Sequence, residues 1–450
     1  MSMTTFGTDR QTLSDLNIFP REKGDLSVFS FFNNTRTKAG NNELAGMLRS
    51  PLNDPEKINA RISAIKFILD NDLKCKLDNK YLDFIGYYLN HNIPVLKDSF
   101  LSSLHSWLSY KIKPTNDYFV ISRGLDYLKN HIRILAEFVE ESDSAELPEF
   151  FRQLKSEMED IMQFPRFRFF IKPKKQKLSF RQLNRYDHLI RKKETERIKS
   201  ILNLTGLLDA YLSVAAVAKE HKLAFPVLKE TTRPQLKIDG LFHPFIKKPV
   251  KNDIELNGNS NLCFVTGANM AGKSTFLKTV GLCVYLAHAG FPVPARSMET
   301  SLFNGLYMTI NIPDNLSKGY SHFYSEVKRV KDITVMIGEK KRIFVVFDEL
   351  FRGTNVKDAF DATLMITKGF TRIKDSMFFI STQIAEVGHE LKKLKKVTFK
   401  CFQSELHGET PVYNYRLTDG ISTDRLGLTI LKNEKIIELI DEIAKDIENN

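Results

Sequence analysis

From about residue 40 to 225, apolar residues recur at spacings of three and four, as in Ile58, Ile62, Ile65, Ile68 and Leu69. That is the period of amphipathic helices, so this half of the chain is expected to be all-helical. Pro51 and Asp54-Pro55 punctuate it, and Asp54 is suited to cap a helix whose first residue is Pro55, where a missing N–H costs nothing. After Pro226 the pattern changes. Residues 231–240 are polar, contain Pro234 and Gly240, and read as a domain boundary. Beyond them, residues 262–266, 343–347 and 377–381 form short apolar or β-branched runs, the signature of buried parallel strands, with helical patterns between them. The expected fold class is α + α/β: an N-terminal all-helical domain over residues 1–230, then an α/β domain over residues 231–450 with a parallel sheet.

Composition narrows the picture only slightly. The chain has 450 residues, 42% of them apolar and 27% charged, an ordinary globular balance that excludes collagenous or wholly disordered classes. The net charge of +12 matters because it is localised: between Gln163 and Ser200 thirteen Lys/Arg face three acidic residues. Phe164, Phe167, Phe169, Phe170, Phe180 and Tyr186 are interleaved with those cations. The stretch suits either phosphate neutralisation with base stacking or a solvated helix face over core aromatics. Cys75, Cys263, Cys283 and Cys401 are widely spread and form no C-x-x-C pair, which argues against a zinc site or a disulfide framework and for a reducing, cytoplasmic setting. The polar N-terminus and the polar interruptions of residues 201–218 argue against secretion and membrane spanning.

The candidate chemistry is concentrated in the second half. Gly267-Ala268-Asn269-Met270-Ala271-Gly272-Lys273-Ser274 fits G-x-x-x-x-G-K-[ST], directly after one expected strand and opening the helix that carries Phe276, Leu277, Val280 and Val284. Backbone N–H groups at such a helix start can cradle phosphates, Lys273 can reach the β- and γ-phosphates, and Ser274 can coordinate Mg²⁺. The apolar run 343–347 delivers Asp348 and Glu349 at its C-terminal end, where Asp348 can complete the Mg²⁺ shell and Glu349 can activate water. Phe323, Val327, Val330 and Ile333 form a helical stripe ending at Gly338, which puts residues 317–321 near a helix N-terminus. Ser321 there suits either an anion contact or a simple helix cap.

With these residues in place, the chain resembles the MutS DNA mismatch-repair family, a branch of the ABC-type ATPases. The loop from Thr266 through Thr275, with its Asn269-Met270 pair, is similar to that family's phosphate loop, and Asp348-Glu349-Leu350-Phe351-Arg352-Gly353-Thr354-Asn355 to its Walker B segment and D-loop. Residues 314–323 with Glu326 resemble its signature segment. The resemblance implies a P-loop ATPase that binds ATP and Mg²⁺ as a homodimer, with Ser321 facing the γ-phosphate held by the other subunit. Ser381-Thr382-Gln383 stands where the family usually has Ser-Thr-His, so Gln383 would contact the γ-phosphate without carrying a proton, and slow turnover is expected. His243-Pro244 and Asn252-Asp253 resemble the segment leading to the nucleotide base; Asp419-Gly420 with Gly427 resembles a closing turn.

Residues 26–61 and 208–219 resemble the start and the closing helix of the family's core, or lever, domain. On that likeness the mismatch-reading and connector domains are expected to be absent and the DNA-gripping clamp truncated to the basic stretch, where Lys172, Lys174, Lys175, Lys177, Arg181 and Arg185 are the expected DNA-backbone contacts. The expected function is an ATP-switched, DNA-binding dimer with repair or recombination proteins as further partners. The alternative is an ATP-switched scaffold with little DNA affinity.

Overall fold

The computed structural model describes residues 6–22, 24–90, 92, 94–99, 108, 116–163, 167, 178–310, 322–394, 396–407, 410–422 and 435–448. Its chain contacts group into two units: one of residues 29–50 and 59–221, the other of residues 1–28, 51–58 and 222–450.

The first unit is helical, as the three-and-four spacing requires. Its long members are Asn116–Glu141, Glu149–Gln163 and Thr195–His221. The last is apolar and long enough to cross a membrane by length and composition, but 72% of its most apolar window is buried inside the protein, as a core helix would be. Polar groups fix how these helices meet. Asp209, almost fully buried, accepts hydrogen bonds from the backbone N–H groups of Arg36 and Thr37 and from the Thr37 hydroxyl at 2.7 Å. Thr37 in turn caps the helix Lys38–Arg49. Asp187 is paired with Arg191 through two contacts of 2.7 and 2.9 Å, and also accepts from Tyr88 Oη and Leu96 N. Burial first, then the Asp187 charge, push the Tyr88 phenol well above its ordinary pKa, so it stays a donor.

The second unit holds two sheets. Strands are β1 Val227–Lys229, β2 Leu236–Leu241, β3 Asn252–Leu256, β4 Leu262–Gly267, β5 Ser297–Ser301, β6 Gly305–Thr309, β7 Ile343–Phe347, β8 Met377–Ser381, β9 Val397–His407 and β10 Thr410–Asp419. The large sheet has the order β10-β9-β4-β8-β7-β6, parallel except for β10; the small one runs β1-β5-β2-β3. The three runs expected to be buried strands are β4, β7 and β8, and the residues of β7 and β8 are fully buried. Stacked rings of Phe347, Phe370 and Phe378 fill one face of the sheet, and Phe344 against Phe379 the other.

Three expectations are corrected. Residues 231–240 contain β2, whose buried Leu236 and Ile238 alternate with outward Lys237 and Asp239; a half-buried strand with so few apolar residues looks like a polar linker. Residues 1–28 and 51–58, read as part of the helical domain, group with the sheets because Thr12, Asp15 and Leu52 bond to backbone or side chains there. Val327, placed in one helical stripe with Val330 and Ile333, is 40% exposed, while Val330, Ile333 and Ile337 carry the buried face of the helix His322–Lys340, which runs past Gly338. Asp54 does cap the helix Pro55–Asp70, accepting from Glu56 N at 3.0 Å.

Buried His288 has a defined tautomer: Nδ1 donates to the Leu52 carbonyl at 2.7 Å while Nε2 accepts from Phe303 N, and Phe6 stacks on the ring. Burial holds its pKa down at about 4, against the Leu52 bond, which raises it. An unfolded imidazole titrates near 6.5, so below that pH the unfolded chain takes up a proton that the folded one refuses. The contribution is full above about pH 6.5, falls through the window and levels off below about pH 4, a loss of about 3 kcal/mol. In His288→Asn this part of the acid destabilisation should vanish, as read from urea unfolding at a series of pH values. In the helical unit, Asp187→Ala should cost about 3 to 5 kcal/mol by leaving the buried Arg191 charge without its carboxylate, measured in the same way.

Candidate active site

Parallel strands with consecutive crossovers bring their carboxyl ends to one edge, and this sheet does so with β4, β8 and β7 side by side. β4 runs into the loop 267–272, and the helix Lys273–Ala289 begins immediately after it. The loop needs its glycines: Gly267 has φ +149° and Gly272 φ +109°, and a Cβ on Gly267 would meet the Phe402 carbonyl at 2.9 Å. Lys273 is buried; its Nζ donates to the carbonyls of Gly267 and Ala268 at 2.8 and 3.0 Å and lies 4.0 Å from Glu349 Oε1. Burial lowers the Lys273 pKa, and the charges of Glu349 and Asp348 work against that.

Asp348 follows β7 directly. Burial raises the pKa of its carboxyl, opposed by hydrogen bonds from the hydroxyls of Ser274 and Ser381. A carboxylate and the hydroxyl of Ser274 thus meet at one point, two hard oxygen donors of the kind Mg²⁺ takes when phosphates supply the rest of its shell. Glu349 adopts φ +55°, and its N–H donates to the Ser381 carbonyl at 3.1 Å. Its carboxylate accepts from Gln383 Nε2 at 2.5 Å and from Arg352 Nη1 at 3.4 Å. Met270 and Phe351 also have positive φ, so three strained non-glycine residues cluster here, each costing on the order of 1 kcal/mol or more. The cleft that Met270 and Glu349 border is about 400 Å³ and is lined by Asn269, Met270, Ser274, Ile310, Asp348, Glu349, Arg352 and Gln383.

A second cavity of about 380 Å³ adjoins the same loop through Met270 and Gly272. Its walls mix the apolar side chains of Phe242, Ile246, Val250, Phe276, Phe402 and Tyr415 with polar ones, among them His243, Lys248, Asn252 and Thr279. Asn252 shapes it by bonding Tyr415 O at 3.0 Å and Leu417 N at 2.7 Å, across the irregularity in β10 that turns Tyr415 toward the loop.

The structure therefore brings together Lys273, Ser274, Asp348, Glu349 and Gln383. Ser321, Lys172, Lys174, Lys175 and Lys177 lie outside the described residues, as does Gly427. Of the other expected nucleic-acid contacts, Arg181 is exposed and Arg185 lies 3.6 Å from Asp98. Phe167 and Tyr186 are buried, so these two aromatics of the basic stretch belong to the core, and Arg191, Arg197 and Lys199 pair with Asp187, Glu194 and Glu196. Sequence reasoning missed Ser381 and Arg352 as partners of the acidic pair. Ser381 could have been found as a hydroxyl ending an apolar strand; Arg352 had no signal beyond its place three residues after Glu349.

Comparison with known proteins shows what the chain is similar to. Residues 263–450 match the family model of MutS domain V. The chain is 29% identical over 260 residues to the DNA mismatch repair protein MutS of Persephonella marina, covering 56% of this chain and 29% of that protein. It is 28% identical over 244 residues to MutS of Wolbachia pipientis wMel, covering 53% and 28% of the two chains. To the DNA mismatch repair protein MSH3 of Phaeosphaeria nodorum it is 26% identical over 259 residues, 56% of this chain and 23% of that one. The matched stretch thus spans less than a third of these relatives.

Proposed function

We propose, from the premise that residues 263–450 belong to the MutS domain V family, that this chain is an ABC-type P-loop ATPase that binds Mg-ATP and hydrolyses it slowly. The observation that carries this reading is the convergence of Lys273, Ser274, Asp348, Glu349 and Gln383 on one sheet edge from three separate stretches of chain. Backbone N–H groups of the loop 267–275 and Lys273 would hold the phosphates, and the cavity between Phe242, Phe402 and Tyr415 would take the base. Ser274 and Asp348 would hold Mg²⁺, which supplies charge neutralisation when bound. Glu349 orients or deprotonates the attacking water, and Gln383 fixes the Glu349 carboxylate without offering a proton of its own, which supports slow turnover. By the family resemblance, Ser321 completes the site of a second copy, making the working unit a homodimer.

The further reading is that the nucleotide state changes how the protein holds DNA, chiefly through phosphate contacts from the basic stretch. Names of the matched relatives support it, and Arg181 is exposed for it. Gln383 favours a second reading, an ATP-switched scaffold that relies on binding more than on hydrolysis.

Lys273→Ala should weaken ATP binding about tenfold to a hundredfold, the worth of a charge-assisted hydrogen bond. Glu349→Gln should keep binding and lower turnover on the order of a hundredfold or more. Equilibrium binding of a fluorescent ATP analogue and steady-state phosphate release check both, and unchanged hydrolysis in both variants would remove the assignment. For DNA, each phosphate contact contributes about 0.9 to the slope of log K against log salt. Reversing Lys174, Lys175 and Lys177 to Glu should weaken duplex binding and flatten that slope, measured by titration over a salt series with ATP present; no binding by the unmodified protein at low salt would favour the scaffold.

A further inference from the structure

Strand β6 is the edge of the large sheet, and an edge strand leaves every second N–H facing outward. Here three successive outward groups are each satisfied by the N-terminal segment, each in a different way. Leu306 N donates to the Gly7 carbonyl at 2.8 Å, Met308 N to the Thr12 hydroxyl at 2.9 Å, and Ile310 N to Asp15 Oδ2 at 2.9 Å. Thr12 and Asp15 are both buried, and they lie on the short helix Arg10–Asp15, capped by Asp9. Two side chains thus stand in for the backbone of a neighbouring strand.

The end of β6 held in this way leads into the candidate active site. Ile310 lines the cleft beside Asp348 and Glu349. The Thr309 carbonyl accepts the Asp348 N–H at 2.9 Å, so two hydrogen bonds one residue apart connect Asp15 with the backbone of Asp348. Arg329 supplies a second tie, with Nε on Thr309 Oγ1 at 3.0 Å, Nη2 on Met308 O at 2.8 Å and Nη1 on Asp9. One turn earlier on the same helix, buried Glu326 accepts the N–H groups of Arg352 and Gly353 at 3.3 and 3.4 Å, on the turn that carries Glu349. Gly353 packs so closely there that a Cβ would meet Phe323 N at 2.7 Å. The turn 348–353 is therefore held from two sides, and both supports trace back to Asp9 and Asp15. The loop 267–272 lies at the end of β4, on the far side of β8 from β7, and none of these ties touches it.

We propose that Asp15, with Arg329, is a positioning residue for the Asp348-Glu349 pair, so that the N-terminal segment is a working part of the ATPase although the family match begins at residue 263. The inference rests on the ATPase reading above and deepens it. Asp15→Ala frees the Ile310 N–H, and Arg329→Lys keeps a charge for Asp9 but cannot make all three contacts.

In the full chain, both variants should lower kcat on the order of tenfold to a hundredfold, a clearly larger factor than any rise in KM for Mg-ATP, to which Asp348 contributes as a proposed Mg²⁺ ligand. Asp15→Asn keeps an oxygen acceptor for Ile310 and should restore most of the rate. Hydrogen exchange read at the Ile310 and Asp348 amides should quicken in Asp15→Ala and stay slow in Asp15→Asn, a readout that needs no turnover. Where Asp15→Ala fails to fold, Arg329→Lys carries the kinetic test, since that side chain is partly exposed. Wild-type kcat in folded Asp15→Ala or Arg329→Lys, or loss of rate only in step with lost ATP affinity, overturns the inference. An unmodified protein that neither binds nor hydrolyses ATP removes the functional reading itself, which the binding measurement reports separately.

Discussion

The second unit depends on holding a polar carboxyl group at the end of a buried strand. β7 is apolar throughout, and it leads directly into Asp348, whose carboxyl burial pushes above its ordinary pKa. The hydroxyls of Ser274, on the helix that follows β4, and of Ser381, at the end of β8, oppose that shift, so groups from three neighbouring strands meet at one carboxyl. Lys273, packed against the same carboxylates, loses part of its own solvation for the same reason. Groups of both charge signs are thus desolvated side by side at one sheet edge.

The loops around it carry strain that the sheet is able to support. Met270, Glu349 and Phe351 take left-handed backbone angles, and Gly267 and Gly272 take angles open to few other residues. Such angles persist only where surrounding contacts over-determine them. The N–H of Glu349 on Ser381, the Glu326 contacts to Arg352 and Gly353, and the Phe323–Phe351 ring contact do that here.

The helical unit solves a different problem with similar means. Its helices are long and apolar, and apolar faces alone slide and re-register at little cost. Asp187 and Asp209 remove that freedom, because each must find several donors at once or stay buried and unsatisfied. Gly40 lies so close to Asp209 that a Cβ would meet Oδ2 at 2.2 Å, so the approach of these two helices and the polar contact are one feature.

Periodicity alone separated helical stretches from α/β ones, since apolar spacing of three and four and apolar runs of five residues reflect local geometry, but it did not place residues 1–28 and 51–58 with the sheets. β7 and β8 were readable to the residue, and the loop 267–274 and Asp348-Glu349 stood out as a candidate site, which the fold brings to one sheet edge. Gln383 was legible as a departure from a pattern, though its bond to Glu349 was not. What the sequence could not show were the contacts between residues hundreds of positions apart. Nothing local marks Thr12 and Asp15 as the border of β6, or Ser381 as the support of Asp348, or Asn252 as the brace of Tyr415. Hydroxyls, amides and carboxylates bond to whatever the fold brings within 3 Å, and only the tertiary structure decides which groups those are.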